Sequence, residues 1–473
     1  MEIILKGHDR KYEVEQTGML FFAPDSDAVI TSSLAVDGDI FTAKAAVCFE
    51  GKTGEYTESA VCTGIKQEKN LIKRTILRAA QKISDNVAPW GILTGIRPVK
   101  PIKEKVLEGM ADEEIKDFFS KEYLVSDEKI RLALDVAKNE IRLVPDKTDK
   151  ISIYISIPFC PTRCLYCSFI SGTLNKNKDI QGEYVECLEK EMELTSKILE
   201  QKGLEIDTVY IGGGTPTALA PLYLDKMLGA ADKYFAPSKT AEFTVEAGRP
   251  DTVTEEKLEI LKKYGVNRIS INPQTTHDKT LEIIGRRHTV EEFYKAFELA
   301  RGMGFDNINT DLISGLPGEN AEMFGQTLAQ MERLAPESLT VHTLYIKRAS
   351  YLRHADIKLP DTIEVAQMMA DAQECAERMG MTPYYMYKQR STLGNLENIG
   401  FAARGRECIY NINSMGDLQT VIALGGGGVT KLVYGDRIER VFNFKNPDEY
   451  IKNMDEMLNR KLQTAEMLGG ING

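Results

Sequence analysis

The chain has 473 residues, 42% hydrophobic and 27% charged, the balance of a globular protein of about two to four domains. That excludes a disordered chain, a fibre and a small disulfide scaffold, and the longest apolar runs, such as 151–159, fall short of the roughly 18 residues needed to span a membrane. A net charge of −11 is a poor match to nucleic acid, whose phosphates require clustered Lys and Arg. The opening MEIILKGHDRK has too short an apolar stretch for a signal peptide, so the expected compartment is the cytoplasm.

Residues 1–66 read as short strands at 1–5, 34–36, 41–48 and 56–62, divided by turn signals at Asp37-Gly38 and 51–54. A helix follows at 67–86, with Leu71, Ile72, Ile76, Leu77, Ala80 and Ile83 on one face. The sole Trp, Trp90, sits in Pro89-Trp90-Gly91, and 99–144 read as two or three helices. The polar stretch 145–150 is a candidate boundary. Beyond it, β-branched runs at 151–157, 208–211, 242–246, 268–272, 308–313 and 339–344 alternate with helical stretches at 181–202, 221–235, 254–264, 289–303 and 320–334. Such alternation requires a parallel sheet with right-handed crossovers. The expected fold class is therefore α/β, a partial (β/α)6 TIM-type barrel, with a flat doubly wound sheet as the alternative. Residues 345–473 are mixed, with a helix at 362–379 and glycines at 425–428. The expected domains are an N-terminal α+β accessory domain at 1–148, a barrel core at 149–345 and a C-terminal α+β extension at 346–473 closing the substrate site.

Eight cysteines are present, and three of them, Cys160, Cys164 and Cys167, form C-x3-C-x2-C directly after the first barrel strand. In a reducing compartment such a cluster points to metal rather than disulfide. No fourth Cys or His stands at the spacing of a tetrahedral zinc site. Three soft thiolates suit an iron–sulfur cluster with one iron left open for a substrate or cosubstrate; zinc and plain reduced thiols are the other readings. Cys48, Cys62, Cys187, Cys375 and Cys408 read as buried small residues or ordinary thiols. Polar residues recur at strand ends: Gly212-Gly213-Gly214-Thr215-Pro216, Glu246, Gln274 and Asp311, with Arg286 beyond. They suit a ligand at the C-terminal rim of the strands.

C-x3-C-x-Tyr-C after a strand resembles the signature of radical S-adenosylmethionine (SAM) enzymes over about 151–345. The resemblance implies a [4Fe-4S] cluster on Cys160, Cys164 and Cys167, and SAM chelated at the open iron and cleaved to a deoxyadenosyl radical. Residues 154–160 (YISIPFC), 212–217, Gln274 with Arg286, and 308–318 (INTDLISGLPG) are similar to the oxygen-independent coproporphyrinogen III oxidase group. Residues 89–98 (PWGILTGIRP), 394–398 (GNLEN) and 425–428 resemble its HemZ-like branch. Carried over by position, Tyr154, Gly213, Gly214, Thr215, Glu246, Gln274, Arg286 and Asp311 would contact SAM, and Val429 a second SAM. The implied reaction converts two propionates of coproporphyrinogen III to vinyls, giving protoporphyrinogen IX, with electrons from a donor such as flavodoxin or ferredoxin. A tetracarboxylate substrate calls for local cations; the candidates are Arg163, Arg287, Lys347, Arg348, Arg353, Lys388, Arg390 and Arg404. His288 is a further candidate for the substrate mouth, and 384–387 read as core or pocket wall. Where the best characterised members have a fourth Cys two places after the third, this chain has Phe169, as do the heme-trafficking relatives of the HemW type. The H-N-x-x-Tyr-Trp heme pattern of those relatives is absent. Heme trafficking, and radical methyl transfer to heme, are the alternative functions.

Overall fold

A computed structural model of the chain describes residues 1–144, 150–167, 172–173, 180–345, 359–389, 392–435 and 437–468. The N-terminal strands β1 (Glu2–Lys6), β2 (Val29–Asp37), β3 (Ile40–Phe49) and β4 (Lys52–Val61) form one four-stranded sheet in that order. In β2 buried and partly exposed residues alternate, which fits a sheet covered on one face. Helix α1 (Lys11–Gly18) was not expected from the sequence, because its polar run carries no apolar stripe. Helix α2 (Ile65–Ala80) buries Leu71, Ile72, Ile76, Leu77 and Ala80 of the expected face, but it ends at Ala80, short of the expected 86, so Ile83 lies beyond it and is half-buried. Three helices follow: α3 (Val99–Leu107), α4 (Asp112–Tyr123) and α5 (Asp127–Leu143).

The chain packs into two units. One comprises Met1–Lys138, Asp361–Gln367 and Met386–Asn398; the other comprises Asn139–Pro360, Met368–Tyr385 and Ile399–Gly473. In the first unit, Trp90 donates its indole N–H to Glu397 at 2.7 Å, and Lys129 bonds the other oxygen of that carboxylate at 2.9 Å. The two segments around Trp90 and Glu397, some three hundred positions apart, thus share one buried cluster. Lys388 belongs to it: its ammonium reaches Leu93 O at 3.2 Å and lies 5.6 Å from the Trp90 ring centre. Burial drives Lys388 down to about 7, so this candidate for the substrate pocket is instead an interior residue of the first unit.

The second unit is built on an eleven-stranded sheet. Its parallel centre is β5 (Ile151–Ile157), β8 (Ile206–Gly213), β9 (Glu242–Glu246), β10 (Arg268–Ser270), β11 (Ile308–Ser314) and β12 (Ser338–Thr343), each hydrogen-bonded to the next. Short strands β6 (Phe159–Cys160) and β7 (Gly172–Thr173) pair apart from it. β13 (Thr382–Lys388) and β14 (Glu397–Ala402) extend one edge; β15 (Val421–Leu424), parallel to β5, with β16 (Val429–Tyr434) and β17 (Arg437–Phe442), extends the other. Among the described residues the sheet does not close on itself, which is the geometry of a partial barrel.

The crossover helices are α6 (Gln181–Lys202), α7 (Pro221–Phe235), α8 (Glu255–Lys263), α10 (Val290–Gly302) and α11 (Ala321–Leu334), with short α9 (Asp278–Ile283) between β10 and α10. Local chemistry sets their ends. Thr254, Thr289 and Asn320 cap α8, α10 and α11 by accepting from the third backbone N–H, and Pro221 opens α7. Helices α12 (Thr362–Arg378), α13 (Ile409–Gly416), α14 (Pro447–Lys452) and α15 (Met454–Leu468) complete the chain. No helix among the described residues is long and apolar enough to cross a membrane.

Candidate cluster and cosubstrate site

The parallel register brings the C-terminal strand ends to one rim. Ser156 and Ile157 of β5 lie beside Gly212 and Gly213 of β8, and Glu246 of β9 lies beside Ser270 of β10. The cysteine loop leaves β5 here and is tied down on two sides. Gly214 N–H donates to Ile157 O at 2.7 Å and Thr215 N–H to Phe159 O at 2.8 Å; on the other side, Leu165 N–H donates to Ile284 O at 2.9 Å. A Cβ on Gly214 would stand 2.5 Å from Phe159 O, so glycine here is a condition for the loop's close approach. The first role of 212–215 is therefore to hold the cysteine loop.

Cys160 and Cys164 are buried and Cys167 is half-buried, all as free thiols. Thr215 Oγ1 lies 3.1 Å from Cys160 Sγ. Burial pushes the Cys160 thiol up to about 12, opposed by Thr215, so a thiolate here needs a compensating cation. Among the described residues no three His, Cys, Asp or Glu side chains gather for a single metal ion. A four-iron cluster asks less of its ligands, because each thiolate meets a different iron. The donor set fits such a cluster.

Around the rim, Glu246 accepts from Tyr210 Oη at 2.6 Å. Burial raises its carboxyl to about 7; Tyr210 and the Gly213 amide oppose the rise, and nearby Asp311 reinforces it. Burial also works to raise Asp311, but the hydrogen bond and charge of His342 with the Asn309 amide hold it below its ordinary value. Asn272 Nδ2 and Asn309 Nδ2 donate to Asp311 at 2.8 and 2.7 Å. Tyr154 stacks on Tyr210 and Tyr410 at 6.1 and 6.0 Å between centroids. Gln274 takes a left-handed conformation, φ 70°, and bridges to Leu312 beside Asp311. Arg286 is buried and donates to Asn272 O at 2.5 Å. Burial works to lower its guanidinium, but Tyr166 and Cys164 raise it overall, and its buried Nε has no hydrogen-bond partner among the described residues.

Tyr210, Asn272, His342 and Tyr410 were not singled out in the sequence. Tyr210 was legible in principle, since it shares a strand face with Gly212 two places on. His288 is buried, has no hydrogen-bond partner for either ring nitrogen among the described residues, and lines a cleft of about 920 Å³ with Arg163, Arg286 and Arg287. Its imidazole falls to about 3 through burial and the charges of Arg286 and Arg249. Arg287 and Arg404 are exposed, whereas Lys347, Arg348, Arg353, Arg390 and Phe169 lie outside the described residues. Tyr384 and Tyr385 are core.

The glycines at 425–428 do not form an anion cradle. Their amides donate to Glu191 Oε2, Tyr184 Oη, Phe444 O and Gly425 O in turn, at 2.7, 2.7, 2.8 and 3.1 Å. Ser156 Oγ donates to Gly426 O at 2.8 Å, so this turn buttresses the end of β5. Val429 follows at 37% exposure. Of the remaining cysteines, Cys48 is exposed and Cys62, Cys187, Cys375 and Cys408 are buried.

The radical SAM superfamily model matches residues 154–331, the segment that carries this rim. The fold and site thus define a radical SAM protein, a class whose cofactors are a [4Fe-4S] cluster and SAM. The chain is 42% identical over 412 residues to the oxygen-independent coproporphyrinogen-III oxidase-like protein HemZ of Bacillus subtilis, covering 85% of this chain and 82% of that one. It belongs to the HemZ family. It is also 35% identical to the heme chaperone HemW of B. subtilis over 266 residues, 55% of this chain and 66% of that one. The solved structure of coproporphyrinogen III oxidase (HemN) from Escherichia coli shares the fold, with a TM-score of 0.53 and 21% identity, covering 67% of this chain and 72% of that one.

Proposed function

We propose that the chain is an anaerobic coproporphyrinogen III dehydrogenase. Each of two propionates gives up a β-hydrogen atom to a deoxyadenosyl radical and then carbon dioxide and one electron, the electron going to a one-electron acceptor, leaving vinyl groups and protoporphyrinogen IX. The observation that carries this reading is the near full-length similarity to HemZ, whose name sets it beside the oxygen-independent coproporphyrinogen-III oxidases.

In this reading Cys160, Cys164 and Cys167 hold the cluster and leave one iron to SAM. The two cofactors, when bound, supply one-electron cleavage and hydrogen-atom abstraction. The chain supplies binding and exclusion of water. Asp311 and Glu246 accept hydrogen bonds from polar groups of SAM, Tyr154 walls the site, and Arg286 Nε is a donor for a carboxylate. Thr215, Gly213, Gly214 and Gln274 shape the rim. Arg163 and Arg287, which line the cleft beside the cysteine loop, are the exposed candidates for substrate carboxylates; Arg404 is not, because Ala402 pairs with Ser338 at the start of β12 and so places it at the opposite end of the sheet from the rim. Reduction requires a one-electron donor of the flavodoxin or ferredoxin class.

The test is turnover by the reconstituted protein, without oxygen, given SAM, a reductant and coproporphyrinogen III. Vinyl products support the reading; SAM cleavage without any vinyl product overturns it. One observation favours a second reading as a heme-trafficking protein: the similarity to HemW, together with Phe169 at the fourth-Cys position. Saturable heme binding in a Soret titration, with no turnover of coproporphyrinogen III, is its signature.

A further inference from the structure

The N-terminal unit holds a cleft of about 450 Å³ between α1, α2 and Thr94. Lys66, Lys69 and Lys73 recur on one face of α2 and line it. Glu13 is the one carboxylate among its lining residues, and it is taken by Lys69 at 2.6 Å. Lys73 reaches the Ile92 carbonyl at 2.7 Å but meets no carboxylate at ion-pair distance among the described residues. Burial lowers its ammonium to about 8, with Glu13 compensating only in part. Beside it Asn70, 8% exposed, has no hydrogen-bond partner for its side chain among the described residues.

The Lys73 ammonium is half-buried with no carboxylate counter-ion among the described residues, and the Asn70 amide one turn before it lines the same cleft. One ligand oxyanion can accept from both. Three ammonium groups facing one carboxylate set the sign of that ligand. The rim adds Tyr12 and Ile65, 55% and 63% exposed, which offer apolar surface to the rest of it. We propose that this cleft binds a small organic anion, a carboxylate or phosphate on an apolar body, with Lys73 and Asn70 donating to its oxygens. The proposal is independent of the cluster and of any tetrapyrrole reaction.

The test is calorimetry on the full chain at matched ionic strength, with inorganic phosphate, phenyl phosphate and 3-phenylpropionate as probes. Saturable binding of phenyl phosphate or 3-phenylpropionate, tighter than that of inorganic phosphate, is expected; the preferred probe separates phosphate from carboxylate. Lys73→Met and Asn70→Leu should each weaken it about ten-fold or more. Lys66→Glu, at an exposed position that cannot unfold the chain, should weaken it as well. Lys73→Met should not melt earlier than the parent, because it removes a half-buried charge that has no carboxylate counter-ion among the described residues. No saturable binding, or equal binding in the parent and in Lys73→Met and Asn70→Leu, overturns the proposal.

Discussion

Glu246 combines burial with a hydrogen bond from Tyr210, and its carboxyl rises from 4.5 to about 7. In the unfolded chain the proton leaves near 4.5; in the fold it stays until about 7. Between those values a rising pH therefore draws the proton from the unfolded state first, and native stability falls. Glu246→Gln should remove that loss, leaving the cofactor-free variant more stable than the parent by up to about 3 kcal/mol at pH 8 and by little at pH 4; thermal melts across pH check this, and parallel curves would contradict it. SAM affinity should rise through pH 7 in the parent and stay flat in the variant. At the cysteines the expectation is simpler. Cys164→Ala should abolish the brown chromophore, and a variant keeping full iron and sulfide would refute the ligand assignment. The three cysteines, Glu246 and Asp311 were legible because strand ends and spacing are local properties. Tyr410 and His342 were not, because they reach the rim only through the packing of α13 and the register of β12.

Among the elements of the site, the turn after β8 leaves little room beside the cysteine loop. Gly214→Ala places a methyl group 2.5 Å from Phe159 O, which should cost about 1–3 kcal/mol and push the cysteine loop from its seat. Iron loading should fall well before the fold does; full loading with an unchanged melting temperature would contradict the tie between turn and loop. The six parallel strands and their crossover helices were readable because β-branched runs and helical stripes differ in period. Helix α1 was not, since its Lys-Tyr-Glu-Val-Glu-Gln-Thr-Gly run carries no such stripe and has no side-chain cap. The role of the run at 425–428 was not legible either, because one of its amides is spent on Glu191, 234 positions away.

At the scale of the molecule, the two segments around Trp90 and Glu397 meet in the N-terminal unit. Replacing Glu397 by Gln leaves Lys129 with the half-exposed Glu128 as its carboxylate partner among the described residues and should cost about 2–4 kcal/mol. A chemical denaturation series measures this; a loss under 1 kcal/mol would show the pair to be incidental. The net charge of −11 weighs against anionic partners in general, yet the N-terminal cleft gathers ammonium groups on one helix face. The central claim concerns the rim of the parallel sheet, and mass analysis of coproporphyrinogen III after anaerobic turnover tests it most directly. The account predicts a product that has exchanged two propionates for two vinyls, with SAM consumed in step. An unchanged tetrapyrrole beside cleaved SAM would contradict it.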